Sequence, residues 1–245
     1  MRFTFVGCGD AFGSGGRLNT CFHVAGENAN FLIDCGASSL VGLKANRIPL
    51  NGIGTIFVTH FHADHFGGIP FFMLDAQFFS KRTEPLTIVG PPGLSTWFER
   101  VMETAFPGSS KTAQKFSLSL VEIAPAEQRN ASGVIVAAFQ ANHGDPDGPY
   151  LSYRFHVEGR IIAYTGDTEW TDELIDAAKD SDLFVAEAYF FEKRVKFHLD
   201  VQSIAVRLPV IDAKRVVLTH MSDDVLGRLK DIPYETAHDG LVIDI

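Results

Sequence analysis

The chain has only three cysteines, Cys8, Cys21 and Cys35, which cannot all pair and form no Cys-x-x-Cys motif. That excludes a disulfide scaffold and leaves reduced, buried thiols, the usage of a cytoplasmic protein. No apolar run approaches the length of a membrane span. The start, Met1-Arg2-Phe3-Thr4-Phe5-Val6-Gly7, reads as a strand and is too short to be a signal peptide. Basic charge is also scarce: 21 Lys and Arg stand against 30 Asp and Glu, a net charge of −9. A general nucleic-acid surface would be basic, so no large nucleic acid and no membrane is expected as a partner. A small phosphorylated substrate in a local basic pocket stays open.

Low-complexity linkers and strong internal repeats are missing too. What remains is one long alternation of apolar strands and helices. Strands are predicted at 2–7, 21–24, 30–34, 56–58, 86–89, 134–139, 150–157, 161–164, 183–186, 216–218 and 241–243. Helices are predicted from Ile69, over Leu94–Phe106 and near Glu173–Lys179. Many strands interleaved with helices fit a layered α/β sandwich in a single domain over 1–245, with two similar halves joined near residue 120. The helix from Ile69 carries Phe71, Phe72, Met73, Phe78 and Phe79. A stripe that wide covers more than one helix face, which makes a homodimer interface a reasonable expectation. The loop Gly13-Ser14-Gly15-Gly16-Arg17 is either a plain turn or an anion-binding nest.

The richest stretch is His60-Phe61-His62-Ala63-Asp64-His65, three imidazoles and a carboxylate in six residues, directly after the apolar Ile56-Phe57-Val58. A rigid strand that ends in a ligand-rich turn and runs into a helix is a mount for a metal ion. Imidazole suits zinc, iron, nickel or copper, and the adjacent carboxylate suits a second, harder ion. Three further apolar strands end in ligand-type residues: His143 after 134–139, Asp167 after 161–164 and His220 after 216–218. Each alone reads as an ordinary polar residue at a strand end. Together they can converge on one rim of a sheet.

The segment His60-x-His62-x-Asp64-His65, with His143, Asp167 and His220 following in order, resembles the motif set of the metallo-β-lactamase superfamily in its binuclear hydrolase branch, and spans nearly the whole chain. The resemblance implies an αββα sandwich of four layers, with two mixed sheets flanked by helices. It implies two divalent ions, zinc by preference, with manganese and iron also compatible. His60, His62 and His143 would hold one ion, Asp64, His65 and His220 the other, and Asp167 would bridge them. Asp34, ending an apolar strand, would support the metal loop from behind. A glutamate at position 62 would indicate the di-iron oxidoreductase relatives, and Cys or Arg at position 65 a β-lactamase; His62 and His65 favour hydrolysis.

Two ions sharing a water supply a nucleophile at neutral pH, with Asp64 placed to orient it or take its proton. A poor leaving group still needs an acid. His198, in Lys196-Phe197-His198-Leu199-Asp200, resembles the general acid of the ribonuclease Z and cyclic phosphodiesterase branch. Glu187 would orient it, and Lys193, Arg194 and Lys196 form the densest basic cluster in an acidic chain. Ribonuclease Z members carry a long arm that grips transfer RNA between the motifs matched by His143 and Asp167. The short spacing here leaves no room for one. The reading is therefore a binuclear phosphodiesterase for a small, cyclic phosphodiester. The alternatives are a thioester, lactone or sulfate-ester hydrolase on the same scaffold, and a non-catalytic metal- or cofactor-binding protein. The remaining His23, His156 and His238 read as structural, and Asp239-Gly240 as a turn.

Overall fold

A computed structural model describes residues 1–145, 148 and 150–245. Strands β1 (Arg2–Gly7), β2 (Cys21–Ala25), β3 (Asn30–Ile33), β4 (Thr55–Phe57), β5 (Leu86–Gly90) and β6 (Leu118–Glu122) lie in one sheet. Strands β7 (Gln128–Ala131), β8 (Val134–Gln140), β9 (Leu151–Val157), β10 (Arg160–Tyr164), β11 (Leu183–Glu187), β12 (Val216–Thr219) and β13 (Glu235–Thr236) form the other. The last strand, β14 (Val242–Asp244), returns to the first sheet and pairs antiparallel with β1. Each sheet is mixed: β3 to β6 are parallel in the first, and β10 to β13 in the second. The architecture is the four-layer sandwich with two mixed sheets.

The side-chain period of a strand builds these layers directly. Phe31 and Ile33 of β3 enter the core between the sheets, and Leu32 points the other way, toward the helices. Between the sheets, Phe57 meets Phe31 edge-on at 5.3 Å and Phe155 of the opposite sheet at 5.0 Å. On the outer face of the first sheet, Leu32, Ile56 and Ile88 pack against Leu43, Ile69, Phe72 and Leu94. On the outer face of the second, Phe184, Ala186 and Leu218 pack against Leu174, Ile204 and Val225. Strands buried on both faces read as continuous apolar runs, which is why 56–58, 86–89 and 183–186 are recognisable in the sequence.

Two regions depart from expectation. The aromatic helix spans only Ile69–Leu74 and continues as a wider π-turn over Asp75–Phe79. Phe72 and Met73 are buried, whereas Phe71, Phe78 and Phe79 are exposed. Lys44 lies over the Phe79 ring at 4.3 Å and Lys115 over Phe78 at 5.6 Å, cation–π contacts that moderate this apolar surface. The glycine-rich loop is no anion nest. Its amides are taken from within: Asp10 accepts from the Phe12 and Ser14 N–H groups, and Asp223 from Gly15 N–H. Arg17 donates to the Ala237 carbonyl at 2.7 Å. Among the described residues, no helix is long and apolar enough to cross a membrane.

Candidate metal centre

Strand direction gathers the site. β8, β10, β11 and β12 all run the same way, because β9 is antiparallel to both β8 and β10 and β10 to β12 are parallel. His143, Asp167, Glu187 and His220 therefore emerge at one rim. The loop after β4 comes to the same rim from the other sheet. It is fastened there by Leu151 N–H donating to the Thr59 carbonyl at 3.0 Å and Tyr153 Oη–H to the Val58 carbonyl at 2.7 Å.

His60 and His62 precede a short helix, Ala63–Phe66, that carries Asp64 and His65. The segment after β3 is pressed against this helix: Cys35 N–H donates to the His65 carbonyl and Gly68 N–H to the Cys35 carbonyl. A Cβ on Gly36 would come within 2.1 Å of the Asp64 carbonyl oxygen, and one on Gly68 within 2.1 Å of the Gly36 oxygen. Glycine at both positions is thus a condition of the close approach.

The structure brings all seven sequence-identified ligand candidates together. Single donor atoms from His60, His62 and His143 lie within 4.8 Å of one another, as do those from Asp64, His65, Asp167 and His220. Asp167 faces both groups: its oxygens lie 3.3 Å from His65 Nε2, 3.2 Å from His220 Nε2 and 3.7 Å from His143 Nε2. The outer ring nitrogens are engaged elsewhere. His60 Nδ1 meets the Thr59 hydroxyl (3.1 Å), His65 Nδ1 meets Asp34 (2.7 Å), His143 Nδ1 donates to the Phe197 carbonyl (2.8 Å), and His220 Nδ1 meets Thr20 (3.3 Å). Each of these rings is thereby turned so that Nε2 faces the centre, the orientation that outer contacts impose on metal ligands.

Whether the donor set suits a cation can be tested on the groups themselves. His60 Nε2, His65 Nε2 and Asp167 Oδ1 are buried without a hydrogen-bond partner, His60 in one of the two donor groups and His65 and Asp167 in the other. Orphaned buried polar atoms are costly, and a cation in each donor group would satisfy them. The electrostatics agree. Burial by itself opposes a charge on His65, yet Asp167, Asp64 and Asp34 hold its pKa well above the usual imidazole range. Burial also opposes ionisation of Asp167, but His220 and His65 hold it well below the usual carboxylate range. Burial pushes the pKa values of His60, His62 and His143 below the usual imidazole range, which keeps these rings neutral as metal ligands must be, and neutral imidazoles with carboxylates suit divalent transition metals.

Asp34 is completely buried and accepts from Thr59 N–H (2.7 Å) and the Thr59 hydroxyl as well as from His65. Asp34→Asn would present an N–H to His65 Nδ1, which moves the ring proton to Nε2, the atom facing the centre. Metal affinity should fall about 10- to 100-fold, read by competition with a chromophoric chelator. Unchanged affinity would remove Asp34 from this role.

His198 stands beside the centre, its ring 4.8 Å from that of His143. Its Nδ1 meets Glu187 Oε2 at 2.9 Å. Partial burial lowers its pKa, but the Glu187 charge and hydrogen bond outweigh this and raise it to about 9. Glu187 is itself fixed by Thr168 N–H. The basic cluster is less central. Lys196 is exposed and is not among the residues that line the cleft over the centre. Arg194 lines a neighbouring hollow that shares His198.

Sequence reasoning missed several contributors. Tyr189 stacks on His198 at 4.6 Å, and Tyr150 stands 5.3 Å from His143. Asp239, read as a turn residue, accepts from Cys8 N–H and Leu18 N–H and ties the last strand to the loop after β1. Asp34, Phe197 and His220 adopt positive φ without being glycine. Such backbone is costly and concentrates at functional sites, but nothing in residue type announces it.

The two seven-stranded sheets and this ligand set define a member of the metallo-β-lactamase superfamily, in its hydrolase branch. Within it, the family model described as anti-Pycsar protein Apyc1 matches residues 1–235. The chain belongs to that family. Among curated proteins it is similar to ribonuclease Z of Methanosarcina acetivorans, 25% identical, covering 94% of this chain and 92% of that one. It is also similar to ribonuclease Z of Geobacillus kaustophilus, 27% identical over 93% and 90% of the two chains. The crystal structure of human tRNase Z, short form, superposes with a TM-score of 0.82 at 25% identity over 100% and 99%. A diphosphatase of the PhnP family shares the fold, with a TM-score of 0.79 at 20% identity over 100% and 97%.

These findings overturn the expectation that no large nucleic acid is a partner. Relatives covering nine-tenths of this chain are ribonucleases, and the human one is named for tRNA. Net charge sums over the whole surface, whereas a phosphodiester is met locally, so a charge of −9 does not decide the size of the substrate.

Proposed function

We propose that the protein is a metal-dependent phosphodiester hydrolase acting on a small, cyclic phosphodiester, with His198 as general acid. The observation that carries this reading is the Glu187–His198 pair beside the His60, His62, Asp64, His65, His143, Asp167 and His220 constellation. Two divalent ions, zinc by preference, would be held by His60, His62 and His143 on one side and Asp64, His65 and His220 on the other, with Asp167 between. When bound, such ions supply positive charge to phosphoryl oxygens and make a water acidic enough to ionise near neutral pH.

The chain's own groups do the rest. Asp64 is placed to orient a water or accept its proton. Glu187 occupies His198 Nδ1, which leaves Nε2 to carry the proton a leaving alkoxide needs. A pKa of about 9 keeps that proton in place at neutral pH. A thioester or lactone needs less acid assistance, and a non-catalytic protein needs none, so the pair favours phosphodiester cleavage over both.

The small substrate is supported by chain length. The alignment to the Methanosarcina ribonuclease Z runs over 286 positions against 245 residues here, so at least 41 positions of that relative have no counterpart. RNA is the second reading, favoured by the relatives. The test is turnover by zinc- and manganese-loaded protein on bis(p-nitrophenyl) phosphate, nucleoside cyclic phosphates, a precursor tRNA, a thioester and a lactone. Phosphodiester turnover that disappears on chelation and returns with metal is expected, with the cyclic compound preferred over the tRNA. Cleavage of the thioester or lactone alone would end the phosphodiesterase reading.

A further inference from the structure

Among the seven ligand candidates, His220 is the one held in left-handed backbone, at φ 55°. Such backbone persists where its surroundings over-determine it. Two grips do so here. Along the main chain, the Cys8 carbonyl accepts from His220 N–H (3.0 Å) and from the Thr219 hydroxyl (3.3 Å). At the ring, Nδ1 meets the Thr20 hydroxyl at 3.3 Å, and that hydroxyl donates to the Gly9 carbonyl. With its one proton given to Gly9, the hydroxyl accepts from Nδ1–H, which leaves the Nε2 lone pair toward the centre. Neither grip comes from the sheet that carries His220. Both belong to segments 7–9 and 17–20, which run backbone to backbone. Gly9 N–H donates to the Leu18 carbonyl at 2.7 Å, and a Cβ on Gly7 would come within 2.1 Å of the Asn19 carbonyl oxygen.

One side chain fastens both segments. Asp239 Oδ1 accepts from Cys8 N–H (3.1 Å) and faces the Cys8 thiol (3.3 Å), while Oδ2 accepts from Leu18 N–H (2.8 Å). Burial pushes the Cys8 thiol up to about 12, so it remains a donor to the carboxylate. The turn that carries Asp239 is seated on β1, because Gly240 N–H donates to the Phe5 carbonyl and Phe5 N–H to the Leu241 carbonyl. We infer that Asp239 is a positioning residue for His220. Through Cys8 it sets the backbone of the ligand, and through Leu18 it sets the Thr20 hydroxyl that orients the ring. This role rests on the two-ion reading and makes the second ion depend on a residue outside the centre. An aspartate that only shapes a turn bonds its own loop. Both oxygens of Asp239 instead bind chain 231 and 221 residues away.

The deciding experiment is zinc titration of the metal-free protein against a chromophoric chelator, with folding verified by circular dichroism. Wild type should bind in two steps, and His220→Ala marks the step that belongs to the Asp64, His65 and His220 group. Asp239→Ala should weaken that step about 10- to 100-fold and leave the other within about threefold. Asp239→Asn, with one carbonyl oxygen for two donor segments, should fall between wild type and Asp239→Ala. Ile243→Ala removes a buried side chain from the strand that follows without touching this path, and should leave both steps unchanged. In the zinc-loaded protein, proton NMR should find the His220 Nδ1 proton sheltered from exchange in wild type and exchanging freely in Asp239→Ala. Equal weakening of both steps, weakening of neither, or the same loss in Ile243→Ala overturns the proposal. If Asp239→Ala does not fold, Asp239→Asn decides by the same criteria. A wild type that binds no zinc ends the metal reading itself, whereas two intact steps in a folded variant end only the role of Asp239.

Discussion

Asp167→Ala should lose about 10³-fold or more in turnover and should bind less metal per chain. The carboxylate faces His65, His143 and His220 across 3.2 to 3.7 Å and is the group common to both halves of the ligand set. Its removal deletes a negative charge from a fully enclosed position, where the metals would supply several kcal/mol of charge stabilisation to the reaction. At about 1.4 kcal/mol per factor of ten, a loss of that size corresponds to three decades. It also leaves Asp64 as the one carboxylate in the donor group of His65 and His220, which further lowers affinity for the second ion. Metal content by mass spectrometry, turnover, and circular dichroism to verify folding would be measured together. A folded variant with full metal content and activity within tenfold of wild type would refute the assignment of Asp167.

His198→Ala should have an effect that depends on the leaving group. Its proton matters only when the departing oxygen is a strong base. On a nucleoside cyclic phosphate, whose leaving alkoxide is strongly basic, turnover should fall about 10²- to 10⁴-fold, the range of positioned acid catalysis. On bis(p-nitrophenyl) phosphate, which expels a weakly basic phenolate, it should fall less than about tenfold. Metal content should change little, because Nδ1 is committed to Glu187 and both main donor groups stand without His198, although it also comes within 4.8 Å of donor atoms of His143 and Asp167. Glu187→Gln should fall between the two, since it keeps the hydrogen-bond geometry and removes the charge that holds the imidazole protonated. Equal losses on both substrates would make His198 a structural support of the cleft and not a proton donor.

Apolar runs such as Ile56-Phe57-Val58 and Leu183-Phe184-Val185-Ala186 were legible because burial on both faces leaves an unbroken hydrophobic signature. Short elements such as β7 and β13 were not legible, since they carry few apolar residues and owe their existence to edge pairing with β8 and β12. The candidate ligands at 60–65 were legible because four donors in six residues is a local pattern. His143, Asp167 and His220 became so only through their resemblance to a known motif order. The glycine loop stayed open between a turn and a nest because residue type shows that amides can converge, but not that Asp10 and Asp223 already occupy them.

Local chemistry, read along the chain, therefore determined the layered α/β class, the ligand types and the candidate acid. Tertiary structure alone decided which ring nitrogen of each histidine faces the centre, that Asp34 holds His65 and Glu187 holds His198, and that Lys196 stands apart while Phe12 and Tyr189 line the cleft. The reason is physical. Residue identity fixes what an atom can donate or accept, whereas orientation is set by partners brought together from distant parts of the chain, as with Thr20 and His220. The left-handed backbone of Asp34, Phe197 and His220 belongs to the same class of fact, since packing elsewhere imposes it and no local signal records it.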